Sequence, residues 1–184
     1  MRTNKLSILL GNRATGKTIY GKSLIRAALK SGKGVLVVDT FDHPAYSALQ
    51  RIQPEAIADV RPGECVRCYG SDIDMILHEC TNLYNALLVM EDATKYVYGT
   101  INDDLKQILF DSKQKNVDVL MMFHSWTACP PAVFRVADNL IIKKTGDNCE
   151  VRKKDCPNFA EVYAAWEKVE QSADKYITKC VKLQ

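Results

Sequence analysis

A chain of 184 residues has room for one domain of ordinary size and not for two, so the expectation is a single domain over residues 1–184. Its composition is 47% hydrophobic and 26% charged, with only 9 Gly and 6 Pro, which excludes disordered, collagen-like and low-complexity classes. A net charge of +3 is too near balance for the whole surface to act as a polycation toward nucleic acid.

The amino-terminal segment holds an apolar run at residues 6–10, too short for the core of an export signal and far too short to cross a bilayer. No later run reaches the length of a membrane span, so a cytoplasmic protein is expected, in the host cytoplasm if a virus or mobile element encodes it. The charge of this end is one-sided. Between residues 1 and 38 there are eight basic residues and no acid; the first carboxylate is Asp39. Such a stretch suits an anionic ligand. The seven cysteines are an odd number and too sparse for a disulfide scaffold, so they are expected to be reduced thiols.

Six short and nearly continuous apolar runs follow one another along the chain, at residues 5–10, 35–38, 65–69, 86–90, 117–123 and 139–142. This is the pattern of strands buried on both faces of a parallel sheet. Helical stretches separate them. Residues 18–30 carry Ile19, Leu24, Ile25, Ala28 and Leu29 at helical spacing and stop at a Ser-Gly-Lys-Gly turn. Ser71 and Asp72 can cap a helix reaching residue 84, and Asn102-Asp103-Asp104 can open another to residue 113, with Leu105, Ile108 and Leu109 facing inward. The alternation predicts an α/β fold with right-handed crossovers, a mostly parallel sheet flanked by helices. Toward the end, residues 141–144, the turn Thr145-Gly146-Asp147-Asn148 and residues 149–153 predict a hairpin at the sheet edge, and residues 159–170 a last amphipathic helix carrying Val162, Tyr163, Trp166 and Val169.

Directly after the first strand stands Gly11-Asn12-Arg13-Ala14-Thr15-Gly16-Lys17-Thr18, a full match to the phosphate-loop (Walker A) pattern. Its glycines let successive N–H groups converge on phosphates while the next helix presents its positive end to the same anion. Lys17 is expected to reach the β and γ phosphates of ATP, and the Thr18 hydroxyl to ligate Mg²⁺. A second acidic element ends the fourth apolar run, where Leu87-Leu88-Val89-Met90 delivers Glu91 and Asp92 to a strand tip, the place where open α/β sheets bind ligands. One carboxylate can hold Mg²⁺ while the next polarises the attacking water. By position Glu91 takes the metal and Asp92 the base, although the usual order is Asp then Glu; a bare helix cap is the plainer reading of such a pair. The next strand ends in His124-Ser125, either of which can sense the γ-phosphate.

These blocks, LSILLGNRATGKT, VLVVDTFDHPAY, LLVMEDATKYVYG and SKQKNVDVLMMFHSWTACPPAVFRVADNLIIKKTGD, resemble in order the HerA/FtsK superfamily of DNA-translocating ATPases, especially viral genome-packaging and Zot-like members. The resemblance implies a P-loop NTPase fold and a homo-oligomeric ring that hydrolyses ATP to pull double-stranded DNA, with further protein partners. It places Lys17 and Thr18 at the triphosphate and Mg²⁺, Glu91 and Asp92 at the acid pair, and His124 or Ser125 where the family commonly has Gln. It also implies a finger from the neighbouring subunit, for which Lys113, Lys115 and Arg135 are the candidates.

Weaker signals remain. Cys65, Cys68, His78 and Cys80 count out as four zinc ligands, but strand and helix periodicity sends them to different faces. Arg152-Lys153-Lys154 reads as edge-strand charge. Lys95, Tyr96 and Tyr98 follow the acids and can line a DNA channel. Two other functional classes stay open: a small-molecule kinase of the nucleoside type, and a nucleotide-binding regulatory protein with little catalysis.

Overall fold

A computed structural model of the chain describes residues 4–39, 41–97 and 101–184. Eight strands form one sheet: β1 (Leu6–Leu10), β2 (Gly34–Val38), β3 (Gln50–Arg51), β4 (Cys65–Cys68), β5 (Ala86–Met90), β6 (Asp118–Phe123), β7 (Asn139–Ile142) and β8 (Lys179–Lys182). The order across the sheet is β3-β4-β2-β5-β6-β1-β7-β8. Every pairing is parallel except the last, where β8 runs antiparallel to β7 with Leu140 opposite Val181. The helices are α1 (Lys17–Lys30), α2 (Ile73–Cys80), α3 (Asp103–Asp111), α4 (Pro131–Val136) and α5 (Phe159–Gln171).

Strand residues alternate between two apolar layers, as a period of two requires. Leu36, Val38, Leu88 and Met90 point into the larger layer with α2, α3 and α5, while Val35, Val37, Leu87 and Val89 point into a smaller one under α1. Both faces are covered, which is why the runs read as continuous hydrophobics. Each fully buried Leu or Val contributes about 1.5–3 kcal/mol. Gly21 keeps α1 close to β6, because a Cβ there would meet the Met122 side chain.

The expected caps are present. The Asp72 carboxylate accepts from Met75 N–H at 3.0 Å, and the Asn102 side chain accepts from Leu105 N–H at 2.9 Å. Leu105, Ile108 and Leu109 are buried as the pattern requires. Two helices are shorter than predicted. The first ends at Cys80, where Thr81 closes it with Oγ1 on the His78 carbonyl, and the second ends at Asp111, where Ser112 does the same to Leu109. On α5, Val162 and Val169 are buried, whereas Tyr163 stands at the surface.

The antiparallel pair expected at the carboxy-terminal edge is there, but its second strand is Lys179–Lys182 rather than residues 149–153. The Thr145-Gly146 turn is held by a different partner. Glu170 of α5 accepts from Thr145 N–H at 2.9 Å, and Trp126 Nε1 donates to Thr145 Oγ1 at 3.1 Å. The chain is thereby led to α5 first and returns to the sheet only afterwards. Cys149–Arg152 forms a 3-10 turn, and Arg152 donates to the carbonyls of Trp126, Thr127 and Cys129, so it staples a loop instead of charging an edge strand.

Candidate active site

The chain leaves β1 and enters β2 three strands away, so β5 and β6 lie between them. That insertion sets the tips of β5 and β6 beside the loop that follows β1, the usual place for a ligand crevice in an open sheet. The loop is tied at its base: Gly11 N–H donates to the Phe123 carbonyl at 3.1 Å and Asn12 N–H to the Lys144 carbonyl at 2.7 Å. Gly11 admits no side chain, since a Cβ would lie 2.7 Å from Thr15 Oγ1 and 2.8 Å from Lys143 Cβ. Gly16 takes φ +84, left-handed backbone that suits glycine, immediately before α1. Ala14 is also left-handed, at φ 60.

Lys17 is 7% exposed and folds back over the loop. Its Nζ donates to the carbonyls of Gly11 and of Asn12 (3.0 Å) and lies 3.1 Å from His124 Nδ1. Burial lowers its pKa to about 8, although Glu91 and Asp92 pull the other way. A protonated lysine has only hydrogens to offer, so Nδ1 of His124 accepts and the ring proton sits on Nε2. That atom faces Asp92 Oδ1 at 3.4 Å. The His124 contact, helped by Lys95 at 3.5 Å, holds the Asp92 carboxyl below its ordinary range. Asp92 itself adopts φ 49, a backbone state that turns it out of the strand line.

Glu91 behaves differently. It is buried, and burial raises its pKa. Tyr46, 1% exposed on a 3-10 turn after β2, donates its hydroxyl to Glu91 Oε2 at 2.8 Å and pulls the pKa partly back. The Tyr46 hydroxyl is pushed up in turn, by burial and then by the Glu91 charge. Asp39 closes β2 and accepts from the N–H groups of Phe41 (3.1 Å) and His43, which shapes the loop that carries Tyr46 into place. Sequence reasoning missed Tyr46; only its position in the aromatic segment after Asp39 hinted at it.

One cavity of about 840 Å³ collects these groups. Asn12, Arg13, Ala14, Gly16, Lys17 and Thr18 of the loop line it, with Glu91, Asp92 and His124 opposite. Gly11 and Thr15 shape the loop from behind, Thr15 Oγ1 donating to the Asn12 carbonyl at 2.8 Å. Of the two sensor candidates, His124 faces the cavity, whereas Ser125 accepts from Ala128 N–H at 3.1 Å and caps the following turn. Lys95 lines the cavity and lies over the Phe41 ring. Tyr96, expected in a channel, is buried in the larger apolar layer; Tyr98 lies outside the described residues. Lys113 (Asp138, 3.9 Å), Lys115 (Asp111, 3.6 Å) and Arg135 (Asp155, 2.8 Å) pair within the chain and do not line the cavity. The cysteine and histidine set does not converge: Cys65 and Cys68 face opposite layers, Cys80 is buried, and His78 is exposed beside Asp104. Among the described residues no three His, Cys, Asp or Glu side chains form a metal-holding group.

No protein-family model matches the sequence, and no curated protein matches it either. Solved structures do. The genome-packaging NTPase B204 from Sulfolobus turreted icosahedral virus 2 in complex with ATP-gammaS superposes with a TM-score of 0.79 at 14% identity, over 100% of this chain and 94% of that one. The same protein in complex with sulfate gives 0.80 at 16% identity over the same shares. B204 of Sulfolobus turreted icosahedral virus, described as a DNA-packaging ATPase, gives 0.75 at 14%, again over 100% and 94%. At these identities the likeness is one of fold: the eight-stranded, mostly parallel sheet with its antiparallel edge pair resembles the fold of these packaging NTPases.

Proposed function

We propose that this chain, as one domain over residues 1–184, binds and hydrolyses ATP as the motor subunit of a ring that moves double-stranded DNA in genome packaging. The observation that carries the reading is the convergence of Lys17, Thr18, Glu91, Asp92 and His124 on one cavity, from three strand tips that are far apart in sequence. Packaging NTPases of similar fold, one of them solved in complex with ATP-gammaS, support it.

The loop amides and the start of α1 hold the triphosphate, with Lys17 exchanging loop carbonyls for phosphate oxygens. The donors at Thr18 and Glu91 are hard oxygens, and among the described residues no closed protein cage surrounds them, which fits Mg²⁺ shared with phosphates. Thr18 and Glu91 would hold that ion, and when bound it neutralises phosphate charge. Tyr46 fixes one Glu91 oxygen and leaves the other for the cavity. Asp92, ionised at neutral pH, orients the attacking water and takes its proton, while His124 joins this carboxylate to Lys17 and so registers whether the γ-phosphate is present. The cytoplasm is the expected compartment; no helix among the described residues is long and apolar enough to cross a membrane.

The test is phosphate release from ATP with and without duplex DNA, beside an assay for transfer to nucleosides. DNA-stimulated release is the expected result. Transfer to a nucleoside without DNA stimulation would replace the motor with a kinase, and binding without either would leave a regulatory protein.

A further inference from the structure

The cavity has a second end that the catalytic groups do not use. Beyond Gly16 it continues into a groove of about 350 Å³ bordered by Ile19, Tyr20, Ser23, Lys143 and Tyr176. Ile19 is 70% exposed and Tyr176 52% exposed, two large apolar side chains in the open at the rim of a polar site. The Tyr176 ring packs on the phosphate loop itself: a Cβ at Gly16 would stand 3.2 Å from its Cδ1.

Tyr176 is held there by a strap, residues 172–178, that runs from α5 to β8. Buried Lys143, just past β7, donates to the Tyr176 carbonyl at 3.2 Å and to Thr178 Oγ1 at 2.8 Å. Lys144 donates to the carbonyls of Ser172 and of Glu170 (3.4 Å). Within the strap Asp174 accepts from Tyr176 N–H at 2.8 Å, and Ser172 Oγ accepts from Asp174 N–H at 3.1 Å. The backbone that carries the ring is therefore held in place while the side chain remains half open to solvent. Lys175, an exposed side chain, places its Nζ 4.8 Å from the ring centroid.

The strap lies where the far end of a nucleotide must go. The acid pair tops β5, two strands or about 10 Å to one side of β1, and Lys143 follows β7, one strand or about 5 Å to the other. A triphosphate whose terminal phosphate meets Glu91, Asp92 and His124 has its sugar and base directed away from them, toward β7. Resting on the reading of the cavity as a nucleotide site, we propose that the groove is the base subsite and that Tyr176 stacks on the base, with Ile19 as the second apolar wall.

The groove reads the face of the base and not its edge. Apart from the Tyr176 hydroxyl, its polar side chains are already engaged: Ser23 Oγ donates to the Tyr20 carbonyl at 2.6 Å, Thr178 Oγ1 accepts from Lys143 and donates to the Tyr176 carbonyl at 3.2 Å, and the Tyr20 hydroxyl lies 3.4 Å from Cys180 Sγ. Every base has a π face, so a stacking shelf favours purines by area without telling adenine from guanine.

Calorimetric titration of the full chain with ATP, GTP, CTP and inorganic tripolyphosphate tests this, using wild type, Tyr176→Ala, Tyr176→Phe and Lys17→Ala. Tyr176→Ala is expected to weaken ATP and GTP by roughly 5- to 100-fold, to leave tripolyphosphate within about twofold, and to be rescued by Tyr176→Phe. In wild type, ATP and GTP should bind within about threefold of each other and CTP more weakly. If Tyr176→Ala binds ATP as wild type does while Lys17→Ala does not, the base subsite is wrong and the nucleotide site stands. Equal losses for ATP and tripolyphosphate would make Tyr176 a prop for the loop and overturn the proposal, and a strong preference for ATP over GTP would overturn recognition by the face. Failure of wild type to bind either ATP or tripolyphosphate would remove the nucleotide reading itself.

Discussion

The two flanks of the phosphate loop are built from similar residues in opposite ways. On the β5–β6 side, titratable groups face one another: Lys17 meets His124, His124 meets Asp92, Asp92 meets Lys95, and Tyr46 meets Glu91. On the β7–β8 side, Lys143 and Lys144 face backbone carbonyls and a hydroxyl, and their charges fasten a strap. The first arrangement is the one to which the proposed reaction assigns proton transfer and the response to a ligand's charge. The second holds shape. Lysine beside a phosphate loop is thus not by itself a phosphate ligand; what its Nζ already touches decides its role.

This contrast predicts that damage on the first flank shows in turnover, with affinity lost as well at Lys17, and that damage on the second shows in affinity alone. Lys17→Ala removes the cation common to binding and catalysis, and ATP binding should fall by about two orders of magnitude or more, below detection by calorimetry. Asp92→Asn should keep ATP affinity within a few-fold while turnover drops by about 10²- to 10⁴-fold in a phosphate-release assay; full activity in that variant would reject the base assignment. Lys143→Met should do the reverse, weakening ATP severalfold with kcat little changed and costing about 1–3 kcal/mol of stability in denaturant titration. Tyr46→Phe has a smaller effect on rate but a directional one. The Tyr46 hydroxyl lowers the Glu91 pKa, so its loss lets that pKa rise, and the acidic limb of the rate profile should move to higher pH.

The smallest effect concerns Lys17 alone. Its pKa near 8 lies below the ordinary 10.5, so above pH 8 the free protein binds fewer protons at this site than the unfolded chain does. Stability from this group therefore rises with pH between about 8 and 10.5 and is flat below that window. Bound phosphate favours the charged form, so ATP binding at pH 8.5–9 should take up a fraction of a proton, visible as a buffer-dependent binding enthalpy. Absence of uptake in that range would mean that Lys17 is already fully charged in the free protein.

Much of the first flank was legible because its signals are contiguous. Gly11 to Thr18 is one string, and Glu91 and Asp92 arrive together at the end of an apolar run. The alternation of runs and helices predicted the mostly parallel sheet, whereas the strand order that brings them together came only with the structure. The second flank was not legible. Lys143 and Tyr176 are 33 residues apart, and the local turn at Thr145-Gly146 argued for a hairpin that Glu170 of α5 prevents. Tyr46 was hidden for a related reason: its partner Glu91 stands just past the end of β5, 45 residues later, and nothing in the spacing of either residue encodes the contact. Tyr96 misled because an aromatic after an acid pair looks like a loop side chain, whereas the backbone turn at Asp92 carries it back into the apolar layer.

The margins of the sheet carry a consequence of another kind. At one margin β3 is only two residues long and exposes Arg51; at the other, β8 is four residues long with Lys179 and Lys182 exposed. Neither offers a long apolar ladder of unpaired amides and carbonyls onto which a further strand could zip. Copies of the chain gathered at high local concentration are thereby steered away from strand-by-strand accretion, and association between them has to be made by side chains meeting side chains, contacts that can form and part without refolding either copy.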